Sequence, residues 1–421
     1  MNAMDRGIVG CAAGAALLAV TGCNALDGLA DVPAIAVFDG GRDATSPPHH
    51  DGGIEGGADH KAHDAMPTKD ASPDVAHDAS ACGEGGAQCG SSCVDLQSSS
   101  AHCGACGHNC NGAVCTAGAC GVYAVVTGND VGKAVLLATD GTRVVWVDDG
   151  FQAIEQVPAA GGTETTLVPP SATNGTVSSE LALANGTVAF AYGGATPQLG
   201  LAAADVGDSG VPYYPGGVAI DSVSLDPNAG EVFFVNVEGT QGSLMKCPIN
   251  STHGITGGTC SSLTGGGRFL DQTAADSTYL FYSFQSGGAS PSGLFLDVFN
   301  GDGGGQISSL RTNSLAVGGG YAYWTQAEDG GTTYSVQRLL ETTGASGSQL
   351  TAAQHLSTEV FTTDGTTVFY GNATGLVSRP AAGGTVTTIA AGVTPAAIAV
   401  GGGLLVWTDS TGSTISGLVL P

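Results

Sequence analysis

The sequence predicts an all-β chain: a single seven-bladed β-propeller, with six blades as the alternative if two divergent copies share one, preceded by a disordered stalk and a small disulfide-rich module. Three observations predict it. A solid apolar strand recurs seven times in the C-terminal part of the chain. Asn-Gly, Asp-Gly or Gly-Gly turns precede several of its copies. A ten-residue segment occurs twice almost unchanged. Periods of this length mark arrays of one supersecondary unit.

The recurring strand reads Arg143-Val-Val-Trp-Val147, Val188-Ala-Phe-Ala-Tyr192, Glu231-Val-Phe-Phe-Val235, Tyr279-Leu-Phe-Tyr282, Tyr321-Ala-Tyr-Trp324, Val368-Phe-Tyr370 and Leu404-Leu-Val-Trp407. Copies lie roughly 36 to 50 residues apart. A continuous apolar run is a strand buried on both faces. Inner strands of propeller blades are so placed, between neighbouring sheets. The strand before it alternates instead, as in Leu181-Ala-Leu-Ala184 and Ser314-Leu-Ala-Val317. Asp140-Gly141, Asn185-Gly186, Asp364-Gly365 and Gly318-Gly-Gly320 join the two, and Asn-Gly or Asp-Gly supplies the positive φ of tight hairpins. The repeated segment is Pro158-Ala-Ala-Gly-Gly-Thr163-Glu-Thr-Thr-Leu167 and Pro380-Ala-Ala-Gly-Gly-Thr385-Val-Thr-Thr-Ile389.

The seventh copy stops after Thr414-Ile-Ser-Gly-Leu-Val-Leu420 without a fourth strand, whereas Gly121-Val-Tyr-Ala-Val-Val-Thr127 precedes the first copy unpaired. That orphan is expected to complete the last blade and close the ring. Closure removes exposed strand edges. Cys247 and Cys260 fall on the third and fourth strands of the third copy and are expected to bridge that hairpin.

The chain divides into residues 1–22, 23–81, 82–120 and 121–421. Residues 8–20 form an apolar stretch behind Arg6, too short to span a bilayer core of roughly 30 Å, and read as a signal segment. Residues 23–81 are rich in Asp, Ala, Gly, Pro and His, without periodicity. Such a segment buries too little apolar surface to offset its ordering entropy and serves as a spacer. His49, His50, His60, His63 and His77 among its Asp residues could capture a metal, but their irregular spacing favours a solvated linker. Residues 82–120 hold Cys82, Cys89, Cys93, Cys103, Cys106, Cys110, Cys115 and Cys120. A module this small needs disulfides, and sequence cannot choose their pairing. Cys103-x-x-Cys106 with His102 and His108 is an alternative zinc set.

The net charge is −26, from 11 Lys+Arg against 37 Asp+Glu. Residues 24–81 carry 11 acidic and 3 basic groups, a net of −8, and residues 122–421 carry 23 and 7, a net of −16. With no basic cluster, nucleic acid is excluded as a partner, as is an electrostatic grip on anionic lipid. No nucleophile elbow, His-Glu-x-x-His helix, phosphate loop or EF-hand loop occurs, so no catalytic, cofactor or metal residues are assigned. His253 and His355 read as solvated loop residues. Asp148-Asp149-Gly150 and Asn300-Gly-Asp302-Gly-Gly-Gly305 offer oxygen ligands for Ca²⁺, yet read as plain turns.

Three resemblances add to this. Val20-Thr21-Gly22-Cys23 resembles the lipobox of bacterial lipoproteins. It implies cleavage before Cys23, lipidation of its sulfur and membrane attachment through that anchor; Asn24 implies sorting to the outer membrane, facing the periplasm or the cell surface. Cys89-Gly-Ser-Ser-Cys93-Val-Asp-Leu-Gln and His102-Cys103-Gly-Ala-Cys106-Gly-His-Asn-Cys110 resemble the stigma-specific-protein-like cysteine module, which implies an extracellular connector. Val-Trp-Val-Asp148, Tyr323-Trp-Thr325 and Val-Trp-Thr-Asp409 resemble YWTD-like and virginiamycin-lyase-like propellers, which implies ligand binding by loops at one end of the channel and carries over no lyase residue. Trp146, Trp324 and Trp407 are expected in the core. The function expected is a monomeric, lipid-anchored envelope protein whose propeller binds a glycan or protein ligand. The alternatives are a carbohydrate-active lyase or hydrolase built on paired carboxylates at the channel mouth, and a purely structural envelope lipoprotein.

Overall fold

The computed structural model describes Cys82 and residues 86–421, apart from connecting segments 129–133, 149–152, 171–176, 193–197, 205–212, 216–218, 227–229, 239–240, 251–253, 256–259, 264–268, 277–278, 286–292, 299–304, 309–311, 329–332, 341–347, 352–355 and 410–412. All of them belong to one compact unit, Val75–Pro421. The expectations for Cys23, the stalk histidines, His253, His355, Asp149 and Asn300 fall outside the described residues.

Seven four-stranded antiparallel sheets follow one another along residues 123–419. Their innermost strands are Ala134–Thr139, Val177–Ala184, Ala219–Asp226, Phe269–Ala275, Thr312–Gly318, Leu356–Thr363 and Pro395–Gly401, and they define blades 1 to 7. Each inner strand neighbours the next, and that of blade 7 neighbours that of blade 1, so the ring is closed. No two copies share a sheet. Tyr123–Thr127 is hydrogen-bonded outside Thr414–Val419, as the fourth strand of blade 7. Ile415 faces Val126 in that pairing, and the packed residues Val125, Val126, Trp146, Val406 and Ile415 join blades 7 and 1 in one core cluster.

The second strand of every blade is buried because both its faces meet neighbours. On Arg143–Asp148, Val144 and Trp146 pack towards blade 7, whereas Val145 and Val147 pack towards blade 2. Trp146, Trp324 and Trp407 are all core residues, with relative exposures of 0, 2 and 2%.

The hairpin turns split into two kinds. Asn185-Gly186, Gly319-Gly320 and Gly402-Gly403 are two-residue loops with positive φ at both positions. Asp140-Gly141 and Asp364-Gly365 differ from the expectation: each lies in a four-residue loop, between the pairs Thr139–Val144 and Thr363–Val368. There only the glycine has positive φ. The aspartate works through its side chain instead. Asp140 Oδ1 accepts from the Thr142 and Arg143 amides at 2.8 and 2.9 Å, and Asp364 Oδ1 from the Thr366 and Thr367 amides at 2.7 Å each. An aspartate that hydrogen-bonds its own turn can replace a second left-handed residue. These turns approach their neighbours closely. A Cβ on Gly402 would lie 2.1 Å from Asp140 O, and one on Gly319 2.0 Å from Gly365 O.

Candidate functional site

The cysteine module is oxidised throughout. Cys82 is bonded to Cys93, Cys89 to Cys106, Cys103 to Cys115 and Cys110 to Cys120. The zinc reading of Cys103 and Cys106 is therefore corrected, because both sulfurs are held in disulfides. The flanking imidazoles are engaged as well. His102 Nδ1 accepts from the Gly107 amide at 2.9 Å, while His108 lies with Nδ1 2.5 Å from Cys103 O and Nε2 2.9 Å from Leu420 O. The glycine of the Cys-Gly-Ala-Cys-Gly segment has a steric reason: a Cβ on Gly104 (φ +74°) would meet Gly118 O at 2.4 Å.

The module is joined to the ring at blades 7 and 1. His108 reaches the C-terminal segment through Leu420. Asn111 Nδ2 donates to Tyr123 Oη at 3.2 Å, and that hydroxyl donates to Ala159 O at 2.7 Å. Burial pushes the Tyr123 phenol above its ordinary pKa of 10.0, opposed by the Asn111 hydrogen bond. Ala159 is the second residue of the repeated Pro-Ala-Ala-Gly-Gly-Thr turn. That turn is the same in blades 1 and 6: the Gly161 and Gly383 amides donate to Pro158 O and Pro380 O, both at 2.8 Å.

Two cavities stand as candidate sites. The central channel holds about 320 Å³ and is lined by the inner strands, through Leu137, Leu183, Val223, Leu315, Val317 and Thr273. Among its described lining residues none is acidic. Its polar groups satisfy one another: Thr273 Oγ1 lies 3.2 Å from both Ser222 Oγ and Ser224 Oγ, and the Thr273 amide donates to Ser222 Oγ at 2.9 Å.

The second cavity is a recess of about 310 Å³ between blades 1 and 2, lined by Arg143, Gln156, Pro158, Thr163, Thr165 and Ala204 among others. Strand register builds it. Arg143 pairs with Pro158, Val145 with Gln156, and Gln156 with Thr165. Directly paired residues, and those two apart, share one sheet face. Arg143, Gln156, Pro158 and Thr165 thus stand on the blade 1 face that meets blade 2. Gln156 is 9% exposed, and its Oε1 is buried without a hydrogen-bond partner. Exchanging the amide's O and N leaves a buried NH₂ unpaired instead. The Arg143 guanidinium also has no hydrogen bond or ion pair among the described residues.

No family model matches the chain, and no curated protein matches it. Solved structures do. The β-propeller domain of Cps50 (Swd1) from Myceliophteria thermophila matches with a TM-score of 0.51 at 11% identity, over 71% of this chain and 100% of that domain. This chain has the β-propeller fold. A prolyl endopeptidase structure matches this propeller with a TM-score of 0.52 at 10% identity, over 68% of this chain and 46% of the endopeptidase. At such identities the likeness extends to the fold alone.

Arg143 and Gln156 were not singled out by sequence. Two signals point to them. Arg143 is one of only seven basic residues in 122–421, and Gln156 occupies the inward register of Ile154-Glu-Gln-Val-Pro158, where an apolar residue belongs.

Proposed function

We propose that the chain is a monomeric lipid-anchored protein of the outer membrane, tethered through Cys23, whose propeller is a recognition module for an envelope or extracellular ligand. The observation that carries the recognition part is the recess on blade 1: a cationic guanidinium and a buried carbonyl oxygen line it together, with no partner among the described residues. Buried polar groups in folded proteins are nearly always paired. Orphans that line a recess are groups a ligand completes. The disulfide-dense module supports an oxidising, exported setting, and the lipobox resemblance supports the anchor. The acidic stalk supplies reach from the membrane.

Two measurements test this reading. Palmitate labelling of the protein in its native host is expected to mark the wild type and to be absent from Cys23→Ser, which is released from the membrane fraction. A thermal-shift screen of the full mature chain against envelope and matrix glycans is expected to yield at least one stabilising ligand. An unlabelled wild-type protein removes the anchor, and a screen with no stabilising glycan removes the recognition of carbohydrate.

A further inference from the structure

We propose that the recess between blades 1 and 2 binds a hydroxylated carboxylate, the chemistry of a uronic-acid residue; this rests on the recognition-module reading and assigns it a site. Arg143 carries a planar fork of donors whose geometry matches a carboxylate. Gln156 Oε1, buried and unpartnered, calls for a donor, which a sugar hydroxyl supplies. Thr163 and Thr165 add hydroxyls that donate or accept on the same wall, and Pro158 adds an apolar surface for the C–H face of a ring. At about 310 Å³ the recess stands at the lower end of the roughly 300–1,000 Å³ of small-molecule sites, which suits a single monosaccharide unit. The net charge of −16 over residues 122–421 opposes densely anionic polymers such as nucleic acids, so one carboxylate among hydroxyls fits better than a phosphate chain.

Blades 3 and 6 show that this arrangement is not imposed by the fold. In blade 3 the equivalent positions are Glu231, paired with Pro248, and Lys246, paired with Phe233. There the two side chains neutralise each other, with Lys246 Nζ 3.1 Å from Glu231 Oε1. In blade 6 they are Thr367, paired with Pro380, and Ser378, paired with Phe369. Blade 1 alone among these three carries a charge there without an opposite charge beside it.

The test is isothermal titration calorimetry on the full mature chain with sodium glucuronate, a neutral oligosaccharide carrying a single glucuronic acid, and glucose. Saturable binding of glucuronate or the oligomer is expected, about tenfold or more above glucose. Arg143→Gln is expected to erase the preference for the acid, and Gln156→Met to weaken acid and neutral sugar alike without lowering the melting temperature. Binding of the oligomer but not the monomer, lost in Arg143→Gln, places the same chemistry within a polysaccharide. No heat with either acid overturns the ligand class. Binding that both variants leave unchanged overturns the site while the recognition reading survives. Equal binding of glucose and glucuronate, insensitive to Arg143→Gln, overturns the role of the carboxylate.

Discussion

Blades 1 and 3 place their third strands in the same register against their second strands, and they resolve it in opposite ways. In blade 3 the row at this position is closed: Glu231 and Lys246 form an ion pair, and Cys247 is bonded to Cys260 just beyond it. In blade 1 the same row holds Arg143 and Gln156, where the guanidinium and Gln156 Oε1 have no partner among the described residues. Blade 3 thus uses its charged pair to tie its second strand to its third, whereas blade 1 leaves its polar groups facing a recess and is braced from outside, by Tyr123 on Ala159. One strand geometry serves stability in one blade and presents unsatisfied groups in the other. What differs is which side chains the row carries.

The largest effect separates the external brace of blade 1 from the internal one of blade 3. Deleting residues 122–127 removes the fourth strand of blade 7 and the Tyr123 contact together. Loss of a cooperative melting transition by circular dichroism is expected, since Thr414–Val419 loses its hydrogen-bonded partner and the packing of Val125 and Val126 between blades 7 and 1 goes with it; an unchanged transition would mean closure contributes nothing. Next, replacing Cys247 and Cys260 by Ala is expected to cost about 3 kcal/mol in denaturant unfolding, from the freed 13-residue separation. Ligand binding at blade 1 should be untouched by that change.

Smaller effects probe single groups. Tyr123→Phe removes the donor to Ala159 O and is expected to cost about 1 kcal/mol. It should also alter the alkaline limb of stability. The folded-state pKa of Tyr123 is raised above 10.0, so the unfolded chain ionises first. Stability from this group is complete below pH 10 and is lost as pH climbs from 10 through the raised folded value. Melting temperatures from pH 8 to 11 should fall less steeply in Tyr123→Phe than in the wild type. Gln156→Met is expected to gain about 1 kcal/mol, because an unpaired buried oxygen disappears. A loss there would show that the oxygen has a partner when folded. Smallest is Lys246→Met, at about 0.5–1 kcal/mol, since the pair is only partly shielded, with side-chain exposures of 23 and 20%. The double change Arg143→Glu with Gln156→Lys imports the blade 3 pair into blade 1. It is expected to preserve folding and abolish acid-sugar binding, which calorimetry reads directly.

Much of this was legible beforehand, and the reasons are local. Solid apolar strands such as Glu231-Val-Phe-Phe-Val235 report burial on both faces. Asn185-Gly186 reports its hairpin, and the unpaired Tyr123–Thr127 strand reports the closure. Asp140 and Asp364 show where local reading overreached: the Asp-Gly dipeptide marked the turn, but the loop length followed from how Asp Oδ1 capped two amides. The zinc alternative at Cys103 and Cys106 failed for a similar reason, since both ligand types lie close in sequence while their sulfur partners, Cys115 and Cys89, lie elsewhere.

By itself the sequence determined the blade repeat, the strand that closes the ring and the cysteine density, because periodicity, turn residues and composition act over a few neighbouring positions. Only the tertiary structure decided the disulfide pairing, the clamp through Asn111, Tyr123 and Ala159, and the recess. Each of those depends on register between strands and on which blade face meets the next. Arg143 and Gln156 belong to different strands, and they become one row only when the hairpin sets Val145 opposite Gln156 and blade 2 closes over them.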